Sequence, residues 1–247
     1  MRTGNPALSS KVFEIESTGT QTMTLNGTVV RCFFLLALCV GAAAFSWSQV
    51  IDPAGNTKDI ATLYAMGGAI VGLILSLVII FKPTTAPVLS PVYALAEGAF
   101  VGALSAVFES SFPGIVIQAV GCTFGTFACL LLAYASGVIK ATENFKLGVV
   151  AATGGIGLVY LATMVLGFFN ISIPYIHSAG AFGIGFSVFV VIIAAMNLVL
   201  DFDFIEGGCE RGAPKYMEWY AAFGLLVTLV WLYVEILRLL AKLRSRD

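Results

Sequence analysis

Seven apolar runs, each near the length a helix needs to cross a bilayer, constrain this chain more than anything else in it. They cover about Val29–Trp47, Ile60–Phe81, Pro91–Phe108, Gly114–Ile139, Leu147–Phe169, Ser178–Leu200 and Tyr216–Leu240. A spanning helix takes about 20 predominantly apolar residues. Backbone in hydrocarbon must satisfy its own hydrogen bonds, so helices and closed barrels are the only choices. These runs are too long for barrel strands and lack their alternation. The sequence predicts an all-α integral membrane protein of seven hydrophobic helices. Composition agrees: 11% of residues are charged, against about 25% in soluble domains.

Three parts follow: a polar N-terminal arm over 1–27, a seven-helix transmembrane domain over 28–241, and a short basic tail over 242–247. No basic stretch followed by a short apolar run opens the arm, so the first span is expected to direct insertion itself. The joining loops hold turn formers such as Asp52-Pro53, Lys82-Pro83 and Phe112-Pro113-Gly114. A net charge of −1 offers no basic field for nucleic acid. Five cysteines without a CxxC, and a single histidine, read as free packing thiols rather than a zinc site. No cofactor is expected. In the third span Ser90, Ala94, Gly98, Gly102 and Ala106 recur every four residues, one ridge of small side chains. Gly68 and Gly72 in the second span, and Gly121 and Gly125 in the fourth, belong to the same pattern. Such positions let helix backbones approach in lipid.

Lysine and arginine counts bear on orientation. With the N-terminus in the cytoplasm, that side receives Arg2, Lys11, Lys82, Lys140, Lys146, Arg211 and Lys215, and the other loops only Lys58. The tail conflicts: Arg238, Lys242, Arg244 and Arg246 end up outside after seven crossings. A re-entrant seventh segment would remove the conflict, so its depth stays open at this stage. Arg31, just inside the first span, is expected to snorkel.

Acids within the apolar runs need a reason to be there. Glu97 lies well inside the third span, one residue off the small ridge, either as a structural hydrogen-bonding group or as a functional one. The sixth run ends on Asp201 and Asp203, about 200° apart around a helix. Asp201, nearer the apolar run, is expected to turn inward, and Asp203 to be solvated at the interface with Glu206 and Glu210. Gly224, Thr228 and Glu235 fall on one line of the seventh span and give it a polar stripe. Glu235 also has Arg238 three residues on, a pairing distance. Glu218 and Lys215 read as interfacial without chemistry. His177, in a short loop, is a bland loop residue or a pH sensor.

Ala96-Glu97-Gly98 in the third span, Asn197–Glu206 (NLVLDFDFIE) closing the sixth, and Leu232-Tyr233-Val234-Glu235 in the last resemble the Bax inhibitor-1 family, the transmembrane Bax-inhibitor-motif proteins. The likeness is closest to a bacterial YccA-like branch and covers about Thr22 to Leu240. It implies a central last helix wrapped by the other six, and a calcium leak that responds to pH. The gate it implies is a pair of acids, on the sixth and seventh helices, sharing one proton. Asp201 matches the first member. For the second, the local motif selects Glu235, while distance along the helix selects Thr228, about 10 Å away. If Thr228 holds the position, Asp201 needs Glu97 or Asp203 as its partner. With Glu235 as partner, the resemblance implies a calcium site at Asp201 and Glu235. The arginine latch the family carries on its second helix has no match in Ile60–Phe81. Two carboxylates in a dry site share one proton, and losing it makes them repel or bind a hard cation.

The sequence reading is therefore a pH-sensitive calcium leak channel. Its expected partners are the lipid bilayer, calcium ions and a membrane protein; a monomer is favoured. The alternative is a non-conducting regulatory protein that binds a membrane protease or a stress or cell-death partner. An enzyme is not expected: no serine–histidine pair lies within the membrane, and no GxGD-type aspartyl motif occurs. A transporter with inverted repeats finds no internal repeat to support it. The expected location is a bacterial inner membrane with a cytoplasmic N-terminus; the endoplasmic reticulum is the second choice.

Overall fold

The computed structural model describes residues 22–52, 57–169 and 180–246. Seven helices among them are long and apolar enough to cross a membrane. They are α1 (Leu25–Val50), α2 (Ile60–Phe81), α3 (Ala86–Ser111), α4 (Ile115–Ala135), α5 (Glu143–Phe168), α6 (Ala181–Glu210) and α7 (Met217–Arg244). Residues 1–21 of the expected arm, and His177, lie outside the described residues. The rest of the arm is not loose. The Met23 amide donates to the Ala213 carbonyl at 2.7 Å, and helix begins at Leu25. Thr24 caps α1, its side chain accepting from the Gly27 amide.

Most observed helices outrun the apolar runs because polar caps extend them. α3 starts at Ala86 rather than Pro91, after a 3₁₀ turn over Pro83–Thr85, and carries Pro91 inside. A proline there forfeits only one intrahelical bond, to the Pro87 carbonyl. The turn from α3 to α4 is tight. Gly114 sits at φ +81°, and the Glu109 carboxylate accepts from the amides of Gly114 (2.5 Å) and Val116 (3.0 Å). One side chain thus ends α3 and caps α4.

α7 is the central element. Of its most apolar stretch 72% is buried inside the protein, against 11% for α2 and for α5. α1, α3, α4 and α6 pack on it directly. α2 lies outside on α3, and α5 lies outside on α6. The wrapping is uneven: four helices form the inner shell and two stand beyond it. The physical reason is in the small-residue ridge. A Cβ at Gly98 would strike the Cys39 carbonyl, and one at Gly102 the Ala43 carbonyl and the Ser46 hydroxyl of α1. On the next face, a Cβ at Gly68 would lie 2.6 Å from the Ala96 carbonyl. Three backbones stack closely there, α2 on α3 on α1. Gly121 and Gly125 correct the sequence expectation. No atom lies within 4 Å of a Cβ built on either, so α4 does not use them for packing.

The seventh helix crosses completely. Its 28 residues extend about 42 Å, more than the roughly 30 Å hydrocarbon core. Glu218 at its start meets Thr24 and Arg31 of the α1 end, while Arg244 donates to the Pro113 carbonyl (2.7 Å) and to Gln118 (3.1 Å) at the α3–α4 turn. The helix thus runs from one end of the bundle to the other, and the basic tail stands on the face opposite the start of α1.

The glycine contacts predict a graded response. Gly102→Val forces the α1–α3 pair apart and is expected to cost about 1–3 kcal/mol, the range for overpacking. Gly121→Ala is expected to leave thermal unfolding in detergent unchanged. Equal shifts for the two variants would contradict this packing.

Candidate functional site

Asp201 is fully buried, at 0% exposure, two-thirds of the way along α6. One turn earlier Asn197, also buried, donates to the Thr153 hydroxyl of α5 and to the Ile193 carbonyl, both at 2.8 Å. Asp201 lies close enough to Cys32 of α1 for its charge to act on that thiol. Two contacts set its level against α7. Phe204 meets Tyr220 with ring centroids 6.4 Å apart, and Ser187 accepts from Lys242 at 2.8 Å. Between those points the antiparallel helices bring Asp201 level with the stretch from Phe223 to Thr228. Thr228 is buried there, its hydroxyl on the Gly224 carbonyl at 3.3 Å.

Glu235 does not reach this level. It stands two to three turns further along α7, about 10–18 Å from the height of Asp201. Its Oε1 accepts from the Tyr160 hydroxyl and from Arg238, each at 3.0 Å. The i+3 pairing with Arg238 is thus made. A carboxylate with a guanidinium on one oxygen is a poor ligand for a divalent cation. Among the described residues no three His, Cys, Asp or Glu side chains gather as a metal site.

The remaining acids are each occupied differently. Glu97 is half-buried and hydrogen-bonded to Tyr93, and its carboxylate lies against Gly72 of α2. Tyr93 in turn meets Phe223 edge-on at 4.8 Å. Asp203 corrects the sequence expectation. Rather than being solvated, its side chain is 19% exposed and pairs at 2.9 Å with Lys146, itself 5% exposed. Lys146 also reaches Glu143 at 3.3 Å. The helix turn that faces Asp201 inward aims Asp203 at the start of α5, where Lys146 waits. Glu206 accepts from the Tyr134 hydroxyl.

The best-satisfied acid was missed in the sequence. Glu218, at 0% exposure, pairs with Arg31 at 2.6 Å and Lys215 at 3.0 Å, and accepts from the Thr24 amide and hydroxyl, each at 2.9 Å. Arg31 does not snorkel; its guanidinium also lies over Trp219, 5.2 Å from the ring centroid. A Cβ at Gly27 would overlap the Glu218 carboxylate, so only glycine fits there. The available signal was topological. With seven crossings the starts of α1 and α7 share a face, which puts a cation and an acid within reach.

Beside Asp201 a groove of about 500 Å³ opens between α1 and α4. Glu206, Glu210 and Tyr134 line one part of it, Cys32 and Phe202 another, and Leu225, Leu226 and Leu229 of α7 a third. Six spans about a central seventh, with a fully buried carboxylate within the bundle, define a multi-pass membrane protein built around intramembrane acids. The chain belongs to the Bax inhibitor 1 like family, whose model matches residues 5–245, nearly all of it. No curated protein and no solved structure matches it.

The Glu218 cluster is expected to clamp α1 to α7. Arg31→Ala leaves a buried carboxylate short of a partner and is expected to destabilise the protein by about 3 kcal/mol. In a double-mutant cycle with Glu218→Gln the two losses should fall well short of additivity. Full additivity would dissolve the clamp.

Proposed function

We propose that this protein is a non-enzymatic, pH-sensitive calcium leak of a bacterial inner membrane, N-terminus in the cytoplasm, gated at Asp201. The observation that carries the reading is the complete burial of Asp201 in the α1–α6–α7 contact. An ionised carboxylate is costlier in such a site than in water, so burial favours the protonated form. Ionisation therefore favours an arrangement in which the helices part and hydrate the acid, and protonation favours the closed one. The neighbouring groove supports this. Glu206 and Glu210 give its mouth a negative potential that gathers cations, and the α7 leucines seal its floor. Calcium is the cargo here, not a resident ion. Family membership supports the class of protein.

Glu235 is outside this gate, because its charge is already met by Arg238. Glu97 and Asp203 are secondary candidates that act through Tyr93 and Lys146. A second reading, a non-conducting protein that binds a membrane protease or stress partner, draws support from Leu229, Val230 and Leu232. These apolar side chains fill α7 between the levels of Asp201 and Glu235.

Calcium entry into dye-loaded liposomes decides between them. The parent protein is expected to leak calcium at a rate that changes severalfold with pH. Asp201→Asn, which fixes the neutral form, is expected to flatten that profile. A profile unchanged in the variant removes Asp201 from the gate, and zero flux at every pH selects the non-conducting reading.

A further inference from the structure

On the face opposite the start of α1, a cavity of about 270 Å³ opens between α3, α5, α6 and α7. Phe108, Phe112 and Phe186 wall it, and Tyr160, Ser187, Glu235, Arg238 and Lys242 bring polar groups. Lys242 donates to the Ser187 hydroxyl (2.8 Å) and the Gly183 carbonyl (3.1 Å), and Arg238 lies over the Tyr160 ring, 5.8 Å from its centroid. Arg238 is 45% exposed, so the cavity is open to its surroundings. Glu235 is 1% exposed; its Oε1 is hydrogen-bonded, and its Oε2 is buried with no hydrogen-bond partner among the described residues.

Two demands follow for an occupant. The charged side chains that line the cavity, one acid and two bases, sum to +1. A monoanion fits that field, and a metal cation does not. Glu235 Oε2, unpartnered among the described residues, calls for a hydrogen-bond donor, because a buried unsatisfied acceptor costs about 1–3 kcal/mol. A bare anion supplies the charge without the donor and meets repulsion from the carboxylate. A zwitterion supplies the donor without net charge. A phosphodiester monoanion that carries hydroxyl groups supplies both. At about 30 Å³ per water the cavity holds roughly nine waters' worth of matter, close to the ten or so heavy atoms of a phosphoglycerol group.

The geometry points to a site for the phosphoglycerol headgroup of an anionic phospholipid, phosphate against Arg238 and Lys242 and a glycerol hydroxyl donating to Glu235. A lipid is the source because the phenylalanine walls suit the chains below a headgroup. In addition, Arg244 and Arg246 continue the positive surface on this same face. This site is independent of the Asp201 gate and stands whether or not the protein conducts.

The test uses the full chain in nanodiscs of phosphatidylcholine doped with a second lipid, with retained lipids counted by native mass spectrometry. Phosphatidylglycerol is expected to be retained about tenfold over phosphatidylmethanol, which has the same charge and no hydroxyl, the size of one buried hydrogen bond. Lys242→Gln is expected to lower retention of both anionic lipids. Glu235→Gln is expected to keep anionic retention and to erase the preference between them. The parent's lipid preference needs no variant and is read even if a substitution prevents folding. Equal retention of phosphatidylglycerol and phosphatidylmethanol, or of phosphatidylethanolamine, overturns the assignment. Displacement by soluble glycerophosphoglycerol at matched concentration also overturns it, because the ligand is then a free phosphodiester.

Discussion

Hydrocarbon offers a carboxylate nothing to bond with, so every acid carried by the inner helices of this bundle must find its partner within the protein. The partners decide the architecture. Glu218 draws Arg31, Lys215 and Thr24 together and so ties the first helix to the last at one face. Glu235 holds Tyr160 and Arg238 and so brings the outlying α5 to the central α7 at the other. Asp203 holds Lys146 and fixes the start of α5 against the end of α6. Each pair consists of a group that is costly alone in a dry setting and a second group that relieves it. Removing one member is therefore far worse than removing both.

Between these polar ties the bundle depends on dispersion. Lipid competes with side chains on equal terms for apolar contact, so close approach of backbones gives an advantage that large residues cannot. The ridge on α3 meets this need on two faces at once, with Gly98 and Gly102 against α1 and the Ala96–Phe100 stretch against Gly68 of α2. Gly72 serves another purpose: its missing side chain makes room for the Glu97 carboxylate. The same residue type thus packs backbone in one place and shelters a polar group in another.

Length and hydropathy made seven spans and their order legible, because a bilayer imposes one length on every crossing. The small ridge on α3 was legible for a similar reason: a four-residue period defines one helix face without reference to its neighbours. Partners were not legible. Arg31 and Glu218 are remote in sequence, and pairing them requires knowing that α1 and α7 are adjacent. Asp203 looked solvated because its own helix says only that it faces away from Asp201, not that Lys146 occupies that side. Gly121 and Gly125 repeat at the packing interval, yet the face they define has no helix on it. The local motif around Glu235 carries no register between two helices, so it does not say which residue of α7 lies level with Asp201.

That height matters for the mechanism. A proton shared by two acids comes off in two coupled steps, whose apparent pKa values belong to the pair. Here Arg238 pairs with Glu235, and the stretch of α7 level with Asp201 carries the Thr228 hydroxyl. On the proposed reading the gate opens when Asp201 ionises. The force available to open such a gate is the free energy of one buried ionisation, and it acts on the contact of α6 with α1 and α7, the helices on either side of the carboxylate. The Arg31–Glu218 clamp holds two of those three at the same face, which limits the motion to a parting of α6 from a fixed α1–α7 pair.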